Sequence, residues 1–185
     1  MADSILQYGH PVLRRKAEPV GRITPAAKRV AERLADTLRK GGGLGLAAPQ
    51  IGEPVRIFVF HDERDGALVT AIDPEIVKAE GEVVDVEGCL SLRRLYGDVG
   101  RPQRLAVKAR TPAGKRMTLT GEDLTARILQ HEIDHLDGTL FVDRVDRDSL
   151  YWVVGEPGED GEVHREPTSL EDALKVFDLR MAGRL

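Results

Sequence analysis

The stretch that most constrains this chain is Gln130-His131-Glu132-Ile133-Asp134-His135-Leu136-Asp137-Gly138, which contains H-E-x-x-H. At 3.6 residues per helical turn, His131 and His135 stand only about 40° apart on a helix surface. Both rings can then reach one metal ion, and Glu132 projects close enough to act on a water beside it. The neighbouring residues predict the helix itself. Leu124, Ile128, Leu129, Ile133 and Leu136 recur at helical spacing and should bury one face. Thr120 with Asp123 resembles a capping box, and Gly138 suits the C-terminal end. With 5 His in 185 residues, chance would place the pattern in roughly one such chain in a hundred. The bland alternative, two surface histidines beside a solvated glutamate, fits an apolar-periodic helix poorly.

Around this helix the chain reads as one domain over 1–185, long enough to bury a core. Hydrophobic residues make up 41% and charged residues 31%, as in an ordinary soluble globule. A net charge of −4 gives no basic footprint for nucleic acid. The single cysteine, Cys89, excludes an internal disulfide framework and suits a reducing compartment. The N-terminus lacks the basic flank and apolar run of a signal peptide, and no stretch is long enough to span a bilayer. A cytoplasmic protein without membrane contact is expected.

In chain order, residues 1–20 form an ordered arm with a turn at Tyr8-Gly9-His10-Pro11 and an anchor at Val12-Leu13. Thr24, Pro25 and Gly41 punctuate a helix whose buried stripe is Val30, Leu34 and Leu38. The glycine-rich segment Gly41–Gln50 permits close backbone approach. Strands are predicted over 55–60, 68–72 (closed by Asp73-Pro74) and 82–86, with a hairpin from 105–109 to 117–119. His10 and His61 fall in turns and are given no function. Thr139–Val142 reads as extended, 155–162 as an acidic exposed loop. A last helix begins near Thr168 or Ser169, with Leu170, Leu174, Phe177 and Met181 on one face. The order suggests α+β: mixed or antiparallel sheets packed around a central helix carrying H-E-x-x-H.

A hydrolytic metal takes three protein ligands and leaves one position open. A third histidine at the metzincin spacing is absent, because position 141 is Phe. The downstream glutamates Glu156, Glu159 and Glu162 lie in the acidic loop. Cys89 remains, at a glycine-flanked strand end where a thiolate can meet a first-row metal.

Three stretches together resemble the peptide deformylases: Gly43-Leu44-Gly45-Leu46-Ala47-Ala48-Pro49-Gln50, Glu87-Gly88-Cys89-Leu90-Ser91 and Gln130-His131-Glu132-Ile133-Asp134-His135. They stand in the family's order, and the likeness runs over roughly residues 5–146. It implies a metal-dependent hydrolase that removes the formyl group from the N-terminal formyl-methionine of new polypeptides, releasing formate. By residue it implies Cys89, His131 and His135 as metal ligands. A water on the metal would attack the formyl carbon, with Glu132 as general acid and base. The Gln50 amide and the Leu90 N–H would stabilise the oxyanion. Gly45 would meet the substrate backbone, with Leu44, Leu124 and Ile128 around the methionine side chain. Fe(II) is the implied metal, with Zn(II) or Ni(II) as replacements. N-formyl-methionyl nascent peptides are the implied partners, and the ribosome is a candidate one.

The pattern is broken at three places. Leu92-Arg93-Arg94-Leu95-Tyr96 intervenes where many members have an apolar residue and a proline, and it is expected to form a loop at the cleft. Asp73-Pro74 replaces the usual Asn-Pro, a change expected to be structural. The tail at 147–185 does not resemble the family's usual C-terminal helix. Two rivals remain at this stage. An H-E-x-x-H metallopeptidase would cleave internal peptide bonds and use a glutamate or histidine third ligand. A non-catalytic metal-binding module would need a closed four-ligand site, for which the sequence offers no fourth ligand.

Overall fold

The computed structural model describes residues 3–155 and 163–183. Helix α1 (Pro25–Gly41) starts as the sequence dictates: the Thr24 hydroxyl accepts the Ala27 N–H, and Pro25 occupies the first turn. It ends one residue later than expected, with Gly42 in the left-handed conformation at φ 72°. Strands β1 (Gly45–Ala47), β2 (Ile57–His61), β3 (Leu68–Glu80), β6 (Arg104–Arg110) and β7 (Arg116–Glu122) form one antiparallel sheet in the order β1-β2-β3-β6-β7. Strand β2 is buried on both faces, which explains its unbroken apolar run. Its Ile57 and Val59 pack with Val30, Leu34 and Leu38 of α1. Its Phe58 and Phe60 pack with Leu129, Ile133 and Leu136 of helix α2 (Asp123–Leu136). The two helices therefore lie against opposite faces of the sheet.

A second sheet has the order β4-β5-β8-β9, from β4 (Val83–Cys89), β5 (Leu92–Arg101), β8 (Tyr151–Val154) and β9 (His164–Pro167). Its inner residues Leu92, Leu95 and Val99 share a core with Leu13, Phe141, Leu150 and Phe177. Phe177 lies on helix α3 (Leu170–Met181), between the rings of Tyr8 and Trp152 at 5.7 and 5.5 Å. The tail is thus docked on its own chain.

Several expectations need correction. Thr120 lies in β7, and α2 begins at Asp123 after Glu122, with no side-chain cap bond. Leu124 is 40% exposed, so the buried apolar face of α2 starts at Ala126. Strand β3 does not close at Asp73-Pro74. It runs on through a bulge between Ile72 and Glu75, the place in a sheet where a proline costs no ladder bond. Asp73 holds that bulge at φ 49°. Its carboxylate accepts the N–H groups of Val20 and Gly21 and pairs with Arg110. The expected loop at Leu92–Tyr96 is part of β5, and the expected strand at 139–142 is a 3-10 turn at Phe141–Asp143. The hairpin β8–β9 was not anticipated, because three of the four β9 residues, His164, Arg165 and Glu166, are polar and all four are exposed. Met181 is 51% exposed and drops out of the buried stripe, whereas Ala173 joins it. Beyond Gly155, the expected acidic loop lies outside the described residues.

Deep burial of Phe177 makes the tail's contribution measurable. Phe177→Ala should lower unfolding free energy in urea by about 3–5 kcal/mol. Leu179→Ala, at a residue 39% exposed, should cost well under about 1 kcal/mol. Equal costs would mean that α3 is not part of the core.

Candidate functional site

The end of β4 and one face of α2 meet where Cys89, His131 and His135 converge. Their donor atoms all lie within 4.8 Å of one another. Cys89 Sγ is 3.3 Å from His135 Nε2, and the two rings stand edge to face with centroids 4.9 Å apart. The fit to a cation rests on these donors. One sulfur and two imidazoles suit a borderline divalent ion. Burial lowers the His135 pKa and keeps the ring neutral, so a lone pair is available. Burial pulls His131 the same way, but hydrogen bonds with Cys89 and Glu87 outweigh it and hold the ring above its ordinary value. The Glu87 carboxylate accepts from His131 Nδ1 at 3.0 Å, which leaves Nε2 for the ion. The residues fit.

Glu87 is itself held tightly. It accepts from Arg101 at 2.7 and 2.9 Å and from Arg127 at 2.7 Å. Arg101 also donates to Asp134 at 2.6 Å, and Asp134 takes two more bonds from Arg144. Although burial opposes ionisation, the Arg101 guanidinium and the His131 ring keep the Glu87 carboxyl well below the usual carboxylate range.

Glu132 is buried beside this cluster, and burial pushes its carboxyl up to about 7. Such a group can take and return a proton near neutrality. It packs directly on Gly45, where any Cβ would overlap the carboxylate. Gln50, on the 3-10 turn Ala48–Ile51, accepts the Ala47 N–H at 2.9 Å. That bond turns its amide nitrogen toward Ser91 Oγ at 3.2 Å and Cys89 Sγ at 3.7 Å. Leu90 occupies the turn between β4 and β5, its carbonyl accepting from Gln7 at 3.1 Å.

These groups open on a cleft of about 740 Å³. Leu44, Gly45, Gln50, Cys89, Leu90, Leu124, Ile128, His131 and Glu132 all line it, and His135 lies behind the wall. Leu44 is 50% exposed and Ile128 is 6% exposed, so the apolar portion has an open side and a floor. Sequence reasoning gave no role to Glu87, Arg101, Arg127 or Asp134. Two hints were present: Glu87 stands two residues before Cys89, and Arg127 stands one helical turn before His131.

The Polypeptide deformylase family model matches residues 2–150. A peptide deformylase of Desulforudis audaxviator is 48% identical over 141 residues, covering 76% of this chain and 91% of that protein. One of Thermomicrobium roseum is 44% identical over 167 residues, covering 86% and 95%. Among solved structures, the Thermus thermophilus peptide deformylase superposes with a TM-score of 0.74 at 44% identity, covering 78% of this chain and 86% of that one. The Legionella pneumophila enzyme gives 0.80 at 33% identity and covers 100% of this chain and 99% of its own. That last match extends through the tail.

Because Glu87 orients His131, Glu87→Gln should weaken binding of a divalent cation about 10- to 100-fold. Competition against a chelator of known affinity measures this, and unchanged affinity would remove the orienting role.

Proposed function

The chain belongs to the polypeptide deformylase family, and from that premise we propose how its own residues divide the work. Its reaction is hydrolysis of the formyl amide at the N-terminus of nascent polypeptides, giving formate and a free amine. The metallopeptidase and non-catalytic readings are superseded.

We assign Cys89, His131 and His135 as the residues that hold a single divalent metal. Bound there, the ion would supply Lewis acidity that lowers the pKa of a water and polarises the formyl carbonyl. Fe(II) is our choice, with Zn(II) or Ni(II) able to replace it, since a thiolate with two imidazoles accepts all three. Glu132 takes a proton from the attacking water. As the new C–O bond forms and the C–N bond breaks, it gives that proton to the departing amine. Burial near the required pKa and the orphaned Oε2 atom support this role. The Gln50 amide, fixed by its bond to Ala47, donates to the developing oxyanion together with the Leu90 N–H. Gly45 offers its backbone to the extended peptide at the β1 edge. Leu44, Leu124 and Ile128 take the methionine side chain.

The same reading makes 1–185 one catalytic unit organised on α2. It places the protein in the cytoplasm, where nascent chains leave the ribosome, its candidate partner. No helix among the described residues is long and apolar enough to cross a membrane.

The carrying observation is that Cys89, His131 and the buried Glu132 carboxyl line one cleft, with His135 completing the three-donor cluster behind its wall. Anaerobically purified protein should release formate from formyl-Met-Ala-Ser and leave internal peptide bonds intact. Cleavage of internal bonds without formate would reject the assignment.

Glu132→Ala should keep stoichiometric metal yet lose turnover, because Glu132 handles protons and does not ligate. Loss of the metal, or near wild-type turnover, would refute that division of labour.

Formyl-methionine peptides should be preferred over formyl-glycine peptides. Burying a side chain of that size contributes about 1.5–3 kcal/mol, roughly ten- to a hundredfold in kcat/KM. Equal efficiencies would remove Leu44, Leu124 and Ile128 from the pocket.

A further inference from the structure

The junction of β4 and β5 has an irregularity that the reaction itself does not use. Cys89 pairs with Leu92 and its neighbour Gly88 pairs with Tyr96. One step along β4 therefore corresponds to four along β5, and Arg93, Arg94 and Leu95 bulge out beside a metal-site residue. Bulges re-aim side chains, and they are common next to active sites. Leu95 is fully buried and anchors the bulge, while both arginines are exposed. Arg94 adopts φ 68° and donates to the Gly155 carbonyl at 3.3 Å, so the bulge is held to the tail. Among the described residues, Arg93 has no ion-pair partner.

Among the described residues, charge along the cleft is one-sided. Of the charged residues lining it, Glu87, Arg127 and Glu132 are buried and His131 is half-buried. The exposed ones are Lys40, Arg93 and Arg94, all basic. Lys40 lies in the last turn of α1, across the glycine segment that leads into β1. A chain of net charge −4 thus presents exposed basic groups along this cleft. A peptide extended along β1 rises about 3.3 Å per residue, which brings the residues after methionine past these groups.

We propose that Arg93 of this bulge, with Lys40 on the same cleft, selects formyl-methionyl peptides carrying acidic side chains in the first few positions after methionine. The inference rests on the deformylase reading and adds a substrate preference to it. Exposed ion pairs are weak singly, so the expected effect is modest and salt-dependent.

The test compares formyl-Met-Ala-Glu-Glu, formyl-Met-Ala-Ser-Ser and formyl-Met-Ala-Lys-Lys by kcat/KM for formate release. The Glu peptide should exceed the Lys peptide by at least about threefold. The ratio should fall toward one as ionic strength rises from about 0.05 to about 0.5 M. Arg93→Glu should reduce or invert the ratio, and Arg93→Gln should reduce it without inversion. Because the ratio is read within each variant, a general loss of activity cancels. Equal rates on the three peptides, a preference for Lys, or a ratio untouched by both variants would overturn the inference while the Ser peptide still reports deformylation. No formate from any peptide would overturn the deformylase reading, and this inference with it.

Discussion

A buried carboxylate with basic partners on two sides joins the two halves of this molecule. Glu87 comes from the second sheet, receives Arg101 from the neighbouring strand, and receives Arg127 and His131 from α2, which packs on the first sheet. Asp134 extends the cluster to Arg144. Glu87, Arg101 and Arg127 are each no more than 5% exposed. Removing water from such charges is expensive, and loss of one partner from a buried pair costs about 3–5 kcal/mol. Multiple hydrogen bonds offset that desolvation, and the geometry they impose fixes the strand end relative to the helix. Cys89 is two residues from Glu87, and His131 is bonded to it. The spacing of Cys89 and His131 is therefore set by this cluster.

Close backbone approach completes the site. The absence of a side chain at Gly45 lets the edge of the first sheet lie against Glu132. Gly88 does the same for the ring of Tyr96. That ring stacks at 5.9 Å on Tyr151 of the tail hairpin, which Arg165 covers at 4.8 Å. Strand β8 pairs through Leu95 and Tyr96, so the tail buttresses the wall of the cleft as well as a core.

How much of this was legible in the sequence depended on whether local pattern carried the information. The helix with H-E-x-x-H, the capped α1 and the β6–β7 hairpin all have strong periodicity or turn chemistry, and they appear within a few residues of expectation. Strand β5 was read as a loop because Arg93 and Arg94 interrupt its alternation, which the bulge explains. Strand β3 was cut short at Pro74 because the tertiary bonds that hold Asp73 leave no local trace. Gln50, Cys89, Glu132, His131 and His135, which the structure brings together, are the residues the motifs single out. The polar cluster behind them was missed, since an arginine at 101 or 127 reads as solvated until burial reveals it. Helical spacing puts Leu124 in the core while the family resemblance puts it by the methionine side chain; it is 40% exposed and lines the cleft.

The central claim is that Cys89, His131 and His135 together hold one metal ion. X-ray absorption at the metal edge of the zinc-loaded full-length protein tests it directly. One sulfur at about 2.3 Å and two imidazole nitrogens at about 2.0–2.1 Å are predicted, with the sulfur lost in Cys89→Asp. A shell of nitrogen and oxygen alone in the unaltered protein would contradict the account.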